Sequence, residues 1–322
     1  MESQTLKDWG PEKLAFGPVP SRRLGRSLGV NNIPPKICSY SCIYCQLGRT
    51  KDFSAVREHF FGPERIFEAV QGKVKSSEEK IDHITFVPDG EPTMDLDLGR
   101  SIERISVLGI DTAVITNSSL MSRQDVRDDL SGADLVSLKI DTVDSSVWKK
   151  IDRPHGDLKL DGILEGIGSF AGSYRGTLET ETMMVKGIND SSELMERTAR
   201  FIGELSPKIA NISIPTRPPA EDWVSKPDEE SLNNAYQIFR DHVDEVRLLI
   251  GYEGSSFSSL NEFESDILSI TSVHPMREDA VRKLLERKGK EWDSMERLLE
   301  KNAIKRVDYE GRSFYLRNFE QT

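Results

Sequence analysis

The chain has 322 residues and a formal net charge of −11 at pH 7, because 54 acidic residues outnumber 43 lysines and arginines. This length can bury a sizeable core and predicts one large domain with a smaller second one. The negative charge argues against a protein that coats nucleic acid non-specifically, although it allows a local basic patch. No apolar run is long enough to span a membrane, and residues 1–10 lack the layout of a signal peptide, so we expect a cytoplasmic protein.

The chain is predicted to begin with a loosely attached polar arm over residues 1–15. Prolines and glycines in residues 16–29 exclude a regular helix there, and residues 27–33 predict a first strand. Three arginines precede that strand: Arg22, Arg23 and Arg26. They form either a solvated basic turn or an anion clamp for a substrate, since guanidinium groups bind carboxylate and phosphate in a bidentate manner.

The only cysteines of the chain lie together after this strand: Cys38, Cys42 and Cys45. Thiolates are soft ligands that suit iron–sulfur clusters or zinc, and such close spacing indicates metal binding more than a disulfide framework. Three ligands on one loop can hold three corners of a cubane cluster and leave the fourth iron open. An open metal position is typical of catalysis. The alternative is a zinc knuckle completed by a histidine such as His59.

From residue 63 onward, β-rich runs alternate with helical patterns. Strands are predicted at 81–88, 111–117, 134–141, 177–186, 209–215 and 244–250. Helices are predicted at 63–75, 97–108, 122–130, 158–171, 191–205 and 228–242. This alternation predicts βαβ units and a parallel sheet wound in one direction. Both an open doubly wound sheet and a barrel fit the pattern.

Polar residues follow or line several of these strands. Gly90, Glu91 and Pro92 come directly after the strand at 81–88, and Asn117 ends the next strand. A Gly-Glu-Pro segment alone is an ordinary turn. Its position one strand and one helix after the cysteines makes it a candidate binding segment.

The strand at 134–141 has one apolar face and one polar face. Ser137, Lys139 and Asp141 are two residues apart, so their side chains share the polar face. In a sheet covered by helices, such a face must line a cavity or stay in contact with water. The strand therefore lines a binding cavity or lies at a wet edge.

The C-x3-C-x2-C spacing, with Tyr44 just before the last cysteine, resembles the signature of the radical SAM superfamily. The resemblance implies a 4Fe-4S cluster whose open iron binds S-adenosylmethionine (SAM). In that family an electron from an external donor passes through the cluster and cleaves SAM to methionine and a 5′-deoxyadenosyl radical, which removes hydrogen from the substrate. It also implies an α/β fold, a partial (β/α)6 barrel over residues 16–255, with its site at the C-terminal ends of the strands.

The same resemblance implies which side chains bind SAM. They are Tyr44, Gly90, Glu91, Pro92, Asn117, Ser137 and Lys139. Tyr44 stands where the family places a residue against the adenine, and the Gly-Glu-Pro segment where it binds the methionine amino group. Ser137 and Lys139 correspond to contacts with the ribose and the carboxylate. Asp89 departs from the family pattern, because it replaces the first glycine of that segment.

Residues 16–29 and 38–48 look most like an uncharacterised branch related to the wybutosine-synthesis radical SAM enzymes. Those enzymes modify a guanosine in transfer RNA and use a second cluster held by extra cysteines. This chain has no further cysteine. A second all-cysteine cluster is therefore excluded, and that particular reaction is not expected.

Residues 256–322 predict a small second domain. Helices are predicted at 258–268, 277–288 and 291–302, and a hairpin from two strands at 304–307 and 313–316. Three helices followed by a hairpin resemble a winged helix. Its basic residues are interleaved with acids. We expect it to recognise a macromolecular substrate, either an RNA such as transfer RNA or a protein.

The sequence therefore predicts a radical SAM enzyme that abstracts hydrogen from an unidentified substrate. Two other classes fit parts of the pattern. One is an activating enzyme whose partner protein docks on the C-terminal domain. The other is an iron–sulfur sensor that binds DNA through a winged helix. A sensor needs no adenosyl site, so Glu91 and Lys139 argue against it.

Overall fold

The computed structural model describes residues 9–250, 263–273 and 275–318. Its strands are β1 (Ala15–Ser21), β2 (Gly25–Val30), β3 (Ile37–Cys38), β4 (Asp52–Phe53), β5 (His83–Phe86), β6 (Thr112–Thr116), β7 (Leu135–Lys139), β8 (Thr177–Met183), β9 (Ile209–Ser213), β10 (Val246–Leu249), β11 (Met276–Arg277), β12 (Ile304–Tyr309) and β13 (Arg312–Arg317). Its helices are α1 (Pro11–Leu14), α2 (Pro63–Ser76), α3 (Leu98–Ser106), α4 (Gln124–Leu130), α5 (Ser145–Ile151), α6 (Leu160–Ser173), α7 (Ser192–Glu204), α8 (Glu229–Arg240), α9 (Phe263–Val273), α10 (Glu278–Lys288) and α11 (Asp293–Glu300).

The central sheet has eight strands in the order β1-β2-β5-β6-β7-β8-β9-β10. β1 pairs antiparallel with β2, and β5 to β10 continue from β2 as parallel neighbours. Each strand lies beside the one before it, and a helix connects each parallel pair, so the sheet curls in one direction into a half-barrel. The predicted α/β fold with a partial (β/α)6 barrel is confirmed.

The helices cover the outer face of this sheet with regularly spaced apolar side chains. In α7, the Ser191 side chain accepts from Leu194 N and so satisfies a free donor at the helix start. Met195, Ala199 and Ile202 are buried at the spacing of one helical face. They pack into the main core with residues of the parallel strands.

The end of the predicted N-terminal arm is packed. Residues 1–8 lie outside the described residues, but Leu14 and Ala15 are buried in the main core. β1 also begins at Ala15, whereas the sequence indicated regular structure only from residue 27 onward. Two short strands of two residues each, β3, which includes Cys38, and β4, which follows the last cysteine, pair in parallel and were not predicted.

The C-terminal residues form their own small core. Helices α9, α10 and α11 pack beside a sheet of order β11-β13-β12, and the helix predicted at 258–268 lies partly outside the described residues. The core includes Phe263, Met276, Leu284, Met295 and Tyr315. The predicted three helices and hairpin are present in this order, while the assignment as a winged helix stays a prediction. Within the described chain, no helix has the length and apolarity needed to cross a membrane.

The C-terminal core contacts the barrel in several places, and α9 lies against both β1 and α1. Val19 of β1 packs against the C-terminal core. At the hairpin turn, Tyr309 Oη donates to Pro215 O (3.3 Å), and Lys226 Nζ lies 2.9 Å from Glu310 Oε2. The hairpin therefore touches the loop that follows β9.

Candidate active site

A cavity of about 370 Å³ opens at the C-terminal ends of the parallel strands. The strands β5 to β10 contribute Thr85, Thr116, Lys139, Glu181, Ser213 and Leu249 to its wall. The loop between β2 and α2 contributes all three cysteines. In parallel α/β barrels this end of the sheet carries the active site. The cavity is therefore the candidate active site of the chain.

The cysteine loop is fixed by backbone hydrogen bonds on two sides. Ile43 N donates to Ile151 O (3.0 Å) at the end of α5. Glu91 N, from the segment after β5, donates to Ile37 O (3.2 Å). These bonds hold the loop between the end of α5 and the segment after β5, so its side chains have a defined position.

The three thiols are partly buried and free of disulfides. Burial is the largest cause that raises the pKa of each thiol, and Asp152 adds to the rise for Cys42, whereas Lys36 opposes it for Cys45. A buried thiol with a raised pKa stays protonated until a metal replaces the proton. The donor set thus fits a thiolate-bound metal group that brings its own positive charge.

The arrangement does not support the alternative zinc knuckle. His59 Nδ1 lies 2.8 Å from Asp97 Oδ2, so this histidine already has a partner. In the described part of the chain, no three His, Cys, Asp or Glu side chains are placed to hold a single metal ion. A four-iron cluster places each thiolate on a different iron, so its ligands need not converge on one point.

Asn117 is directed at the sulfur of the first cysteine. Its Nδ2 donates to Cys38 Sγ (3.4 Å). On the other side of the loop, Cys42 Sγ donates to Asp152 Oδ1 (3.5 Å). Hydrogen bonds to ligand sulfurs orient them and tune the metal group that they hold.

Glu91 anchors the Gly-Glu-Pro segment to the next strand. Its buried carboxylate accepts from Thr93 N (3.1 Å), Thr93 Oγ1 (2.6 Å), Thr116 Oγ1 (2.6 Å) and Asn117 N (2.7 Å). Burial raises the pKa of Glu91, and these four donors oppose that rise. The carboxylate therefore fixes the strand ends around the cavity.

Gly90 lies against the backbone of the cysteine loop. A Cβ atom at this position would stand 2.0 Å from Ile37 O, so only glycine fits without moving the loop. The preceding Asp89 is buried 3.6 Å from the ammonium of Lys36. Burial raises the pKa of Asp89 to about 6, and Lys36 opposes the rise.

The opposite wall carries a chain of charged groups. Glu181 Oε2 lies 2.8 Å from Arg23 Nη1, and Glu181 Oε1 lies 3.2 Å from Lys139 Nζ. Arg23 Nη1 also donates to Ser137 Oγ (2.9 Å). Burial alone would raise the pKa of Glu181, but Lys139 and Arg23 hold it well below its usual range. Glu181 therefore bridges the two cations of the wall.

Tyr44 is held beside this wall by two buried carboxyl groups. Its Oη donates to Asp141 and to Asp152 Oδ1 (3.1 Å). Lys139 Nζ lies 5.0 Å from the ring centroid. These contacts fix the ring next to the last cysteine, where the family resemblance places an adenine contact.

The structure brings most of the sequence-predicted site residues together. The cavity is lined by Arg22, Arg23, Cys38, Cys42, Tyr44, Cys45, Gly90, Glu91, Asn117 and Lys139. Three predicted residues are not among its lining residues. Ser137 is buried behind Arg23, Pro92 is buried in the turn after Glu91, and Arg26 pairs with Glu79.

The three arginines do not converge on one point in the structure, and their role as an anion clamp stays a prediction. Arg22 Nη1 donates to Leu249 O, and Arg23 is paired with Glu181. The ion pair of Arg26 stands apart from the cavity lining. Neighbours in sequence need not point to one site, because the turn between β1 and β2 sends the three side chains in different directions.

Sequence reasoning missed Lys36 and Glu181. Lys36 is two residues before the first cysteine, but its direction depends on the loop backbone. Glu181 lies in a predicted strand that carries glutamates on one face and threonines on the other. Because both faces are polar, the sequence did not decide which face points inward. Its position two residues before the end of β8 was the available signal.

Comparison with known proteins identifies the class that this fold and cavity define. The model of the radical SAM superfamily matches residues 32–202, more than half of the chain. UPF0026 protein MJ1312 from Methanocaldococcus jannaschii is 44% identical over 308 residues, which are 95% of this chain and 96% of that protein. The chain belongs to the radical SAM superfamily and, within it, to the UPF0026 family.

More distant relatives agree with this assignment. A probable GTP 3′,8-cyclase from Pyrococcus horikoshii is 28% identical over 171 residues, which are 53% of this chain and 51% of that protein. The structure of Streptococcus suis SuiB bound to precursor peptide SuiA covers 68% of this chain and 47% of that one, with a TM-score of 0.52 and 14% identity. The second match shows a common fold. The protein is an enzyme of the radical SAM type, as predicted.

Proposed function

We propose that this enzyme binds one 4Fe-4S cluster through Cys38, Cys42 and Cys45 and uses it to cleave SAM reductively, so that hydrogen is abstracted from a substrate. The observation that carries the proposal is that these three thiols line one cavity at the C-terminal ends of a parallel half-barrel. When bound, the cluster would supply the electron for SAM cleavage, drawn from an external donor.

The residues around the thiols have separate tasks in this proposal. Asn117 donates to the Cys38 sulfur and so stabilises negative charge on that ligand. Glu91 holds the end of β6 and the segment after β5 together through its four hydrogen bonds. Gly90 lets that segment approach the cysteine loop. The cavity walls limit access of water to the reacting groups.

SAM would lie along the wall that carries Tyr44 and Lys139. Tyr44 offers an aromatic face whose position is fixed by Asp141 and Asp152. Ser137 acts through Arg23, since it is buried and its Oγ accepts a hydrogen bond from Arg23 Nη1. Glu181 keeps both Arg23 and Lys139 in place.

The substrate is proposed to be an RNA or a protein that the C-terminal domain recognises. One observation favours a protein, and with it an activating or modifying role. The exposed charges of α11 are Asp293, Glu296, Arg297 and Glu300, three acids and one base. In helix-turn-helix relatives the last helix of the three enters the DNA groove, where acidic side chains meet phosphate. This charge pattern also disfavours the alternative of a DNA-binding sensor.

Anaerobic reconstitution with iron and sulfide tests the metal assignment. We expect about four irons per chain and a reduced-state electron paramagnetic resonance signal that changes when SAM is added. Cys42→Ala should lose the signal, whereas Ser41→Ala, on the same loop, should keep it. Stable zinc binding with no iron uptake in the wild type would refute the cluster.

A further inference from the structure

The segment after β9, residues 215–226, lies against the cysteine loop, and we call it the strap. Its central residue is Glu221, whose N donates to Ile43 O (3.1 Å), between the second and third cysteines. The Glu221 carboxylate accepts from Arg49 Nε (3.0 Å) and Nη2 (3.2 Å), and it also pairs with Arg153. A bidentate pair between a guanidinium and a carboxylate fixes both partners in one geometry. The backbone and the side chain of Glu221 therefore both hold the cysteine loop.

The two arginines belong to the two flanks of the cysteine loop. Arg49 lies four residues after the last cysteine. Arg153 O accepts from Ser41 N (3.2 Å), just before the second cysteine. Arg153 also has a φ of +45°, an unfavourable backbone conformation that persists only where surrounding contacts hold it. Glu221 thus connects both sides of the stretch that carries the second and third cysteines.

Further contacts fix the strap against this stretch. Val224 is buried in a small apolar cluster that includes Ile43 and Tyr44. Arg217 Nη1 donates to Gln46 Oε1 (2.6 Å), directly after the last cysteine. The strap therefore touches the cysteine loop both before and after that cysteine.

The ends of the strap touch the C-terminal hairpin. Tyr309 Oη donates to Pro215 O (3.3 Å), and Lys226 Nζ lies 2.9 Å from Glu310 Oε2. These contacts are made by the first and last residues of the strap, and Glu221 lies between them. One segment thus contacts both the candidate cluster site and the part of the chain that is proposed to recognise the substrate.

The contacts of the strap are of a kind that can open. The Arg49 side chain is 70% exposed and the Glu221 side chain 11% exposed. An ion pair that water reaches contributes less to stability than a fully buried contact, and segments held by such contacts open more often than the core. The position of the strap can therefore respond to the hairpin that touches its ends.

We propose that the strap sets the position of the cysteine loop, with Glu221 as the positioning residue, and that the hairpin contacts link this position to the C-terminal part. A substrate that favours one position of the hairpin then changes the surroundings of the cluster thiolates, so that substrate recognition and cluster reduction are coupled. This inference rests on the cluster of the proposed function and adds a route of regulation to it.

Glu221→Gln and Arg49→Met test the inner contacts in the full-length, reconstituted protein. Each variant removes one charge of the same pair, and Asp222→Asn, at the exposed neighbouring position, is the matched control. Both variants should release iron to a chelator about tenfold faster than the wild type, as expected for loss of a charge-assisted hydrogen bond. Both should also shift the midpoint potential of the cluster in the same direction, and the control should change neither quantity.

The direction of the potential shift separates position from charge. Loss of a carboxylate and loss of a guanidinium change the local charge in opposite senses, so a direct electrostatic effect would shift the potential in opposite directions. Opposite shifts, or no change in either variant, would overturn the positioning role of Glu221. If Glu221→Gln retains no iron, Glu221→Asp replaces it, because this variant keeps the charge but withdraws it from Arg49 and should shift the potential as Arg49→Met does.

Hydrogen–deuterium exchange tests the outer contacts. Tyr309→Phe combined with Lys226→Met removes both contacts to the hairpin, and Lys305→Met, at an exposed position of β12, is the control. The amides of residues 215–226 and 41–45 should exchange faster in the double variant, because the strap opens more often. Unchanged exchange would overturn the link to the C-terminal part. A wild type that takes up no iron would instead refute the proposed cluster, which separates the two failures.

Discussion

Asp95 is a carboxyl group that the fold keeps in its protonated form up to neutral pH. It is fully buried, and burial raises its pKa to about 7, although Asp97 N (2.9 Å) and Asn32 Nδ2 (3.2 Å) donate to it. Asn32 Oδ1 is buried nearby with no partner within the described residues. Asn32 Nδ2 also donates to Pro92 O (3.0 Å), which fixes the orientation of this amide, and a neutral group at position 95 can still accept from Asn32 through a carbonyl oxygen.

We therefore expect Asp95→Asn to raise the free energy of unfolding, relative to the wild type, most at alkaline pH. A raised pKa means that the folded chain holds this proton more tightly than the unfolded chain. Its stabilising contribution is present below about pH 4 and is lost as pH rises through about 7. Between pH 6 and 8 the wild type should lose about 1 kcal/mol of unfolding free energy relative to Asp95→Asn. Urea unfolding of both proteins at pH 6 and pH 8 measures this change. If the unfolding free energies of the two proteins differ by the same amount at both pH values, the raised pKa of Asp95 is contradicted.

Gly90 and Gly72 give a matched pair of glycine substitutions. Gly90→Ala would place a methyl 2.0 Å from Ile37 O and so push the cysteine loop away. We expect a large loss of bound iron after reconstitution. Gly72 lies in α2 with nothing within 4 Å of an added Cβ, so Gly72→Ala should keep the iron and add roughly 0.5–1 kcal/mol of stability. Full iron content in Gly90→Ala would mean that the loop can move without losing the site.

The strands and helices of the barrel could be predicted because each leaves a pattern of apolar residues and end residues within its own stretch of sequence. α2, for example, was predicted at 63–75 and observed at Pro63–Ser76, since Pro63 and the apolar stripe mark its start and face. β3 and β4 could not be predicted, because two-residue strands pair through backbone atoms and leave no side-chain period. Lys36 and Glu181 depend on contacts between distant segments, which spacing in sequence does not encode.

We expect removal of the C-terminal helices and hairpin to lower the stability of the chain while the barrel keeps its ability to bind iron and SAM. Among the residues that the structure describes, all that line the cavity precede residue 250, so deletion of residues 256–322 should leave iron and SAM binding measurable. The deletion removes the core that packs on Val19 and the hairpin contact to Pro215. We therefore expect a Tm lower by several degrees, and loss of turnover of the true substrate.

Calorimetry and iron analysis of the shortened chain check both parts of this expectation. Tyr309→Phe serves as a milder control, because it removes only the hydrogen bond to Pro215 O. A shortened chain that folds but cannot take up iron would show that the barrel site depends on the C-terminal part. One that turns over the native substrate at the full rate would show that this part has no role in recognition.

For the whole molecule, the half-barrel brings together groups that are far apart in sequence. The cysteine loop follows β2, the Gly-Glu-Pro segment follows β5, and the Lys139–Glu181 wall comes from β7 and β8. Parallel strands end at the same edge, so these groups meet around one cavity. The proposed chemistry needs this convergence, because three thiols alone bind metal but do not position a cofactor beside it.

Formation of 5′-deoxyadenosine is the most direct test of this account. The reconstituted protein is incubated without oxygen, with SAM and a strong one-electron reductant, and the products are separated by chromatography. The account predicts 5′-deoxyadenosine from the wild type and none from Cys42→Ala, and the yield should depend on the reductant. A wild type that carries the cluster and binds SAM, yet releases no 5′-deoxyadenosine under reduction, would contradict the central claim.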